Sequence, residues 1–197
     1  MGRTSKYERD VVLKTAMDLF WSRGYRSTSL KDLEQALDMR PGSIYAAFGS
    51  KEALFRIALQ KYFTIGQDLL AETLRDAPSP IAGLAAYVRI LSDKMNGTAP
   101  SRACMLVKTL LETSDDDRDL RDFVEAKMRQ IETTFADCFR EARDAGEIRP
   151  DSDPEQLAAR LQASIFGLRA YAQRTDATER IEQLAEDIAN DVLALAA

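Results

Sequence analysis

The chain predicts an all-α protein of about nine helices, and three observations carry that expectation. Apolar residues recur three and four apart in almost every stretch between breakers. Ser, Asp, Pro and Gly stand where helices should start and stop. No segment alternates apolar and polar residues as a half-buried strand would.

The first helix runs from about Lys6 to Arg23, with Val12, Ala16, Leu19 and Phe20 on one face and Gly24 as its stop. Ser29-Leu30-Lys31-Asp32 reads as a capping box that opens the second helix, whose inner face is Leu30, Leu33 and Leu37. Asp38-Met39-Arg40 leaves room only for a tight turn, and Pro41 suits the first position of a short third helix, about Pro41 to Phe48. Gly49-Ser50 breaks the chain, and Ser50 caps a long fourth helix from Lys51 to about Arg75.

Asp76 to Pro80 is a linker, followed by a fifth helix on the spacing Ile81, Leu84, Val88, Leu91 and Met95, ended by Asn96 to Pro100. The sixth, about Arg102 to Glu112, is nearly all apolar and is expected to be central. The seventh, about Asp116 to Ala145, carries Leu120, Val124, Met128, Ile131, Phe135, Cys138 and Ala142 on one stripe and stops at Gly146. Asp153-Pro154 opens the eighth, about 154–174, and Asp176 with Glu179 reads as a capping box for the ninth, about 177–195.

The eighth helix has two apolar faces, Leu157/Leu161/Ile165/Leu168/Ala172 and Ala159/Ala163/Phe166/Ala170. A helix apolar on both sides needs a partner on both sides. The ninth supplies Ile181, Leu184, Ile188, Val192 and Leu195, so the pair is expected to form half of an intermolecular four-helix bundle in a two-fold homodimer. The interface residues expected are Leu157, Leu161, Ile165, Leu168, Ile181, Leu184, Ile188 and Val192.

Composition narrows function by exclusion. A hydrophobic share of 45% and a charged share of 30% mark an ordinary globular chain, and no apolar run reaches the roughly 18 residues of a membrane span. With no signal core at Met1 to Lys6, a cytoplasmic protein is expected. There is no histidine, and Cys104 and Cys138 lie far apart, which argues against a metal site, a histidine-dependent catalytic site and a disulfide scaffold. No catalytic residue and no cofactor are assigned. The net charge of −5 conceals an asymmetry: residues 1–61 hold 11 Lys and Arg against 7 Asp and Glu, while the remainder holds 16 against 25. A basic head and an acidic body fit a nucleic-acid surface confined to the head.

The second and third helices, about 29–48, have the lengths and turn of a helix-turn-helix. Gly24-Tyr25, Thr28-Ser29, Gly42-Ser43-Ile44-Tyr45-Ala46-Ala47-Phe48 and Lys51-Glu52-Ala53-Leu54 stand at the spacing of the TetR family, which the whole chain resembles in helix order. The resemblance implies a DNA-binding domain at 1–50 and a ligand-binding and dimerisation domain at 51–197, with the fourth helix as connector. It implies a homodimeric bacterial repressor that leaves a palindromic operator when a small-molecule inducer of unknown identity binds among the fourth to seventh helices and shifts the fourth. A helix-turn-helix protein with no small-molecule ligand, controlled by a protein partner, is the alternative.

Two departures stand out, since family members often have Ser where Arg40 stands and a polar residue where Ala47 stands. Base reading therefore moves to Arg40 and Ser43, with Ala46 and Ala47 limited to thymine methyl contacts. Ile44 and Phe48, four apart, already supply an inward face, so Tyr45 is free to offer its hydroxyl to phosphate. Lys51 opposes the helix dipole, and a phosphate shared with the helix N-terminus explains it. Arg40 suits guanine O6/N7 or a phosphate equally. Thr28 and Ser29 serve first as turn and cap residues, compatibly with a phosphate contact. Pro41 lies at the DNA-facing start of the third helix. Arg3, Lys6 and Arg9 form a basic arm or a disordered terminus.

Cys104 and Cys138 read first as small buried hydrophobes. Lys108, one turn beyond Cys104, is either a rim lysine or the partner of an acidic ligand. With Phe63, Tyr87, Leu91, Phe135 and Phe139 these complete the expected pocket: Phe63, Tyr87, Leu91, Cys104, Lys108, Phe135 and Phe139.

Overall fold

A computed structural model describes residues 6–97 and 99–196, with side chains described except at 6–8 and 115. Among the described residues the helices are α1 (Lys6–Arg23), α2 (Leu30–Leu37), α3 (Pro41–Phe48), α4 (Lys51–Asp76), α5 (Pro80–Asn96), α6 (Met105–Glu112), α7 (Arg118–Asp144), α8 (Pro154–Tyr171) and α9 (Thr178–Leu193), with a 3-10 turn at Asp115–Asp117 before α7. No strand occurs among them, only an isolated bridge between Ile148 and Ala196.

Two compact units emerge, divided differently from a boundary at residue 50. One holds the chain up to Ile65 together with Met105–Val124; the other holds Gly66–Cys104 and the chain from Glu125 onward. α6 thus belongs with the N-terminal helices, because its polar side chains bind the turn that follows α1.

The first unit is built on Phe20, Leu33, Ile44, Leu54, Phe55 and Leu59, all essentially inaccessible to solvent. Phe20 and Phe55 meet edge to face at 4.9 Å, a geometry that adds to the value of their burial. In the second unit the core is Leu84, Val88, Leu91, Phe135, Phe139, Leu161, Ile165, Ile181 and their neighbours. Gly83 on α5 permits a close approach there, since a Cβ would stand 2.8 Å from a Leu74 methyl, 3.2 Å from the Ala77 Cβ and 3.3 Å from the Leu74 Cα.

Several boundaries differ from the sequence reading. α6 starts at Met105 rather than Arg102; the Arg102 guanidinium instead binds the Ala172 carbonyl and the Thr178 hydroxyl. α9 has no Asp176 capping box: its N-cap is Ala177, and the Asp176 carboxylate is taken by Arg174 at 2.8 Å. Ser114 and Asp117 form a capping box that the sequence reading did not include.

Burial also corrects the expected dimer residues. Leu161, Ile165, Leu168, Ile181 and Val192 are core residues of their own subunit, and Leu157, Leu184 and Ile188 pack partly buried against that core. Both α8 faces are apolar in sequence, and the bulkier one is turned inward because it fills more volume. The outer face carries exposed Ala159, Ala163, Gly167 and Ala170 beside half-buried Phe166.

Candidate nucleic-acid interface

α3 is fixed from below and open above. Ile44 is fully buried and Phe48 is 8% exposed, whereas Ser43, Tyr45, Ala46 and Ala47 on the other faces are exposed, Tyr45 at 47%. Arg40 is the N-cap residue, extended at φ −71° and ψ 150°, and its side chain makes no cap hydrogen bond, so the exposed guanidinium is not spent on closing the helix. Pro41 occupies the first turn, where a missing N–H costs nothing. At the far end Gly49 adopts φ 83° and donates its N–H to the Tyr45 carbonyl.

α2 is anchored by its cap. The Ser29 hydroxyl accepts the Asp32 N–H at 3.1 Å, and the Asp32 carboxylate accepts the Ser29 N–H at 2.8 Å and hydroxyl at 2.6 Å. Arg23 closes on the other carboxylate oxygen at 2.6 Å. The Ser29 hydroxyl, then its backbone N–H, hold the Asp32 carboxyl down to about 2. Ser29 remains exposed.

Thr28 requires a correction as a DNA-contact candidate. It is fully buried and its hydroxyl donates to the Gly24 carbonyl at 2.7 Å, which withdraws that side chain from any phosphate. Arg3 and the side chain of Lys6 lie outside the described residues; Arg9, in the same basic stretch, has its guanidinium 5.7 Å above the Phe48 ring.

Lys51 opens α4 on the edge next to α3. Its ammonium sits 4.5 Å above the Tyr25 ring, a cation–π contact that gives a lysine at a helix N-terminus a partner the dipole rule does not foresee. Burial lowers its pKa, opposed by the nearby Glu112 and Asp32 carboxylates. Tyr25 in turn stacks on Phe55 at 4.7 Å, and burial followed by the Glu52 and Asp117 charges raises its hydroxyl pKa.

The Gly24-Tyr25 pair gains a physical explanation from α6. Gly24 adopts φ 89°, and a Cβ there would stand 2.1 Å from a Glu112 carboxylate oxygen. That carboxylate accepts the Tyr25 N–H at 2.9 Å and the Arg26 N–H at 3.4 Å. One turn earlier the Lys108 ammonium donates to the Trp21 and Ser22 carbonyls at 2.8 and 3.1 Å, capping the negative end of α1. Lys108 is therefore committed to the backbone of the first unit and is corrected as a pocket residue. Arg26 extends the attachment to Ser114 and Asp117 at 2.9 and 2.6 Å.

Of the remaining pocket candidates, Phe63 is buried in the first unit. Tyr87, Leu91, Phe135 and Phe139 share the core of the second, with the Tyr87 and Phe135 rings 6.1 Å apart. Cys104 is buried in the same unit; burial raises the Tyr87 hydroxyl pKa, opposed by the Arg169 charge and assisted to a smaller extent by Cys104. Burial, with the Glu141 and Asp137 charges, pushes the Cys138 thiol up to about 11. Among the described residues no group of His, Cys, Asp and Glu is arranged to hold a metal ion. None of the described helices is long and apolar enough to cross a membrane.

A short helix with an open face, seated on a capped helix beside a basic edge, defines a helix-turn-helix DNA-binding protein. Residues 12–57 match the family described as bacterial regulatory proteins, tetR family, and residues 80–188 match the tetracyclin repressor-like, C-terminal domain. The chain belongs to the TetR family and is a DNA-binding transcriptional regulator, not an enzyme. It is 30% identical over 187 residues to the HTH-type transcriptional repressor ComR of Escherichia coli, spanning 93% of this chain and 88% of that one. With the HTH-type transcriptional repressor DhaR of a Mycobacterium species it shares 29% over 164 residues, 81% of this chain and 79% of that repressor. A solved cysteine mutant of the TetR family regulator CifR, in complex with 26 bp double-strand operator DNA, superposes with a TM-score of 0.87 at 33% identity, covering 96% and 98% of the two chains.

Proposed function

We propose that this regulator is a homodimeric repressor that seats α3 in the major groove of a palindromic operator. The observation that carries the reading is α3 itself, with Ile44 and Phe48 buried beneath an exposed face of Ser43, Tyr45, Ala46 and Ala47. Arg40 reads a base edge or grips phosphate at the helix start, Ser43 lies beside it, and Tyr45 and Lys51 hold the backbone. Ser29 and Pro41 border the same surface. Both the repressor names of ComR and DhaR and the operator bound by CifR support this assignment.

A second copy covers the outer face of α8, formed by Ala159, Ala163, Phe166, Gly167 and Ala170, together with the α9 rim at Leu184 and Ile188. Small side chains there let two helices approach closely. A shallow open groove beside this face is lined by Leu157, Arg160, Ser164, Ile188, Asp191 and Leu195.

The regulator's second unit receives a small-molecule effector near Tyr87, Leu91, Cys104, Phe135 and Phe139, where aromatic and polar-tipped side chains converge. To release the operator the effector must bind the DNA-incompetent state more tightly. A gel-shift series at fixed salt tests the reading head: Arg40→Ala and Tyr45→Phe should weaken operator binding, and unchanged binding by both variants refutes the assignment.

A further inference from the structure

Glu112 lies 87 residues from Tyr25 in sequence, outside the helix-turn-helix, yet its carboxylate accepts the Tyr25 N–H at 2.9 Å. The chain of contacts is short. The Glu112 carboxylate holds the Tyr25 and Arg26 N–H groups at the turn where α1 ends, and Gly24 makes room for it. The Tyr25 ring, fixed by that turn and by Phe20 and Phe55, is the shelf under the Lys51 ammonium. Lys108, one turn away on α6, secures the other side of the turn through the Trp21 and Ser22 carbonyls.

We propose that Glu112 is a positioning residue for operator binding, acting through Tyr25 to hold the Lys51 ammonium at the start of α4 ready for a phosphate. The inference rests on the reading that Lys51 grips the DNA backbone. A free lysine side chain loses rotamer freedom when it is fixed, so an ammonium already parked on a ring gives up less freedom on meeting a phosphate. Polarity matters too: the two charges on α6 face backbone groups of fixed sign, carbonyls for Lys108 and N–H groups for Glu112. Exchanging them, K108E with E112K, therefore cannot restore the clamp as an exchange restores an ordinary ion pair.

The experiment is a double-mutant cycle on operator affinity with the full chain at fixed salt, below the melting temperature of every variant. Glu112→Leu is expected to weaken binding about two- to fivefold, the value of a cation–π contact, when Lys51 is present. In a Lys51→Met background the same change should have almost no effect, and Glu112→Gln, which keeps an acceptor oxygen, should stay near wild type. If Glu112→Leu does not fold, a series of progressively fluorinated phenylalanines at position 25 replaces it. That series weakens the ring's negative face without changing its shape, and should lower affinity stepwise only when Lys51 is present.

Equal losses with and without Lys51, or no loss from Glu112→Leu or the fluorinated series, overturn the positioning role while leaving the phosphate reading intact. An operator affinity unaffected by Lys51→Met overturns the phosphate reading and the positioning role with it.

Discussion

Replacing Gly24 by alanine strikes two features at once, and the structure gives a magnitude for each. The backbone there has φ 89°, a region that costs a residue with a Cβ about 1–2 kcal/mol. The new Cβ would also meet the Glu112 carboxylate at 2.1 Å, so the carboxylate must leave and the Tyr25 N–H loses its partner. An unsatisfied amide costs about 1–3 kcal/mol. Together these give a loss of roughly 2–5 kcal/mol, or about 5–15 °C in Tm for a chain of this size. Thermal melts followed by circular dichroism should show it. In a Glu112→Ala background the collision and the lost bond are already absent, so Gly24→Ala should cost only the backbone part. Simple additivity of the two substitutions, or a Tm within about 2 °C of wild type for Gly24→Ala, refutes the reasoning.

Other outcomes follow from the same structure. Asp32 and Asp117 are held near 2 when folded, below the 3.8 of a free carboxyl, so each stabilises the fold above about pH 4 and loses that effect as pH falls toward 2. Tm should fall across that window, and Ser29→Ala, which removes the main cause at Asp32, should flatten part of the fall; an unaltered profile argues against the cap. Cys138, pushed up to about 11, stays protonated at pH 8 and should react with a thiol reagent in a Cys104→Ser chain about a hundred times more slowly than a free cysteine. A rate equal to that of free cysteine contradicts its burial. The two faces of α8 should respond oppositely: Ala163→Asp should yield folded monomers in sedimentation, while Leu161→Ala, 4% exposed, should cost about 2–5 kcal/mol of stability. A dimeric Ala163→Asp chain removes the proposed interface.

Local rules made much of this molecule legible in advance. α3 could be delimited because Pro41 and Gly49 are chemically suited to its ends, and its inner pair followed from the four-residue spacing of Ile44 and Phe48. The Ser29–Asp32 box closes within four residues and was equally readable. What escaped depended on distant partners. Thr28 reads first as a turn and cap residue whose hydroxyl is compatible with a phosphate contact, but the Gly24 carbonyl takes that hydroxyl. Lys108 reads as either a rim lysine or a ligand's counter-charge, because nothing in its neighbourhood in sequence shows that two carbonyls at the end of α1 await it. Glu112 was simply the last residue of an apolar helix. On α8, periodicity revealed two apolar faces but not which one the chain's own core would take.

Selection of bound sequences from a random DNA pool by the full chain, followed by footprinting of the winner, tests the central claim most directly. The account predicts an inverted repeat whose half-sites lie about one helical turn apart, protected at both halves, with affinity reduced by Arg40→Ala. No enriched sequence, a single unrepeated motif, or an inverted repeat bound as tightly after Arg40→Ala contradicts it.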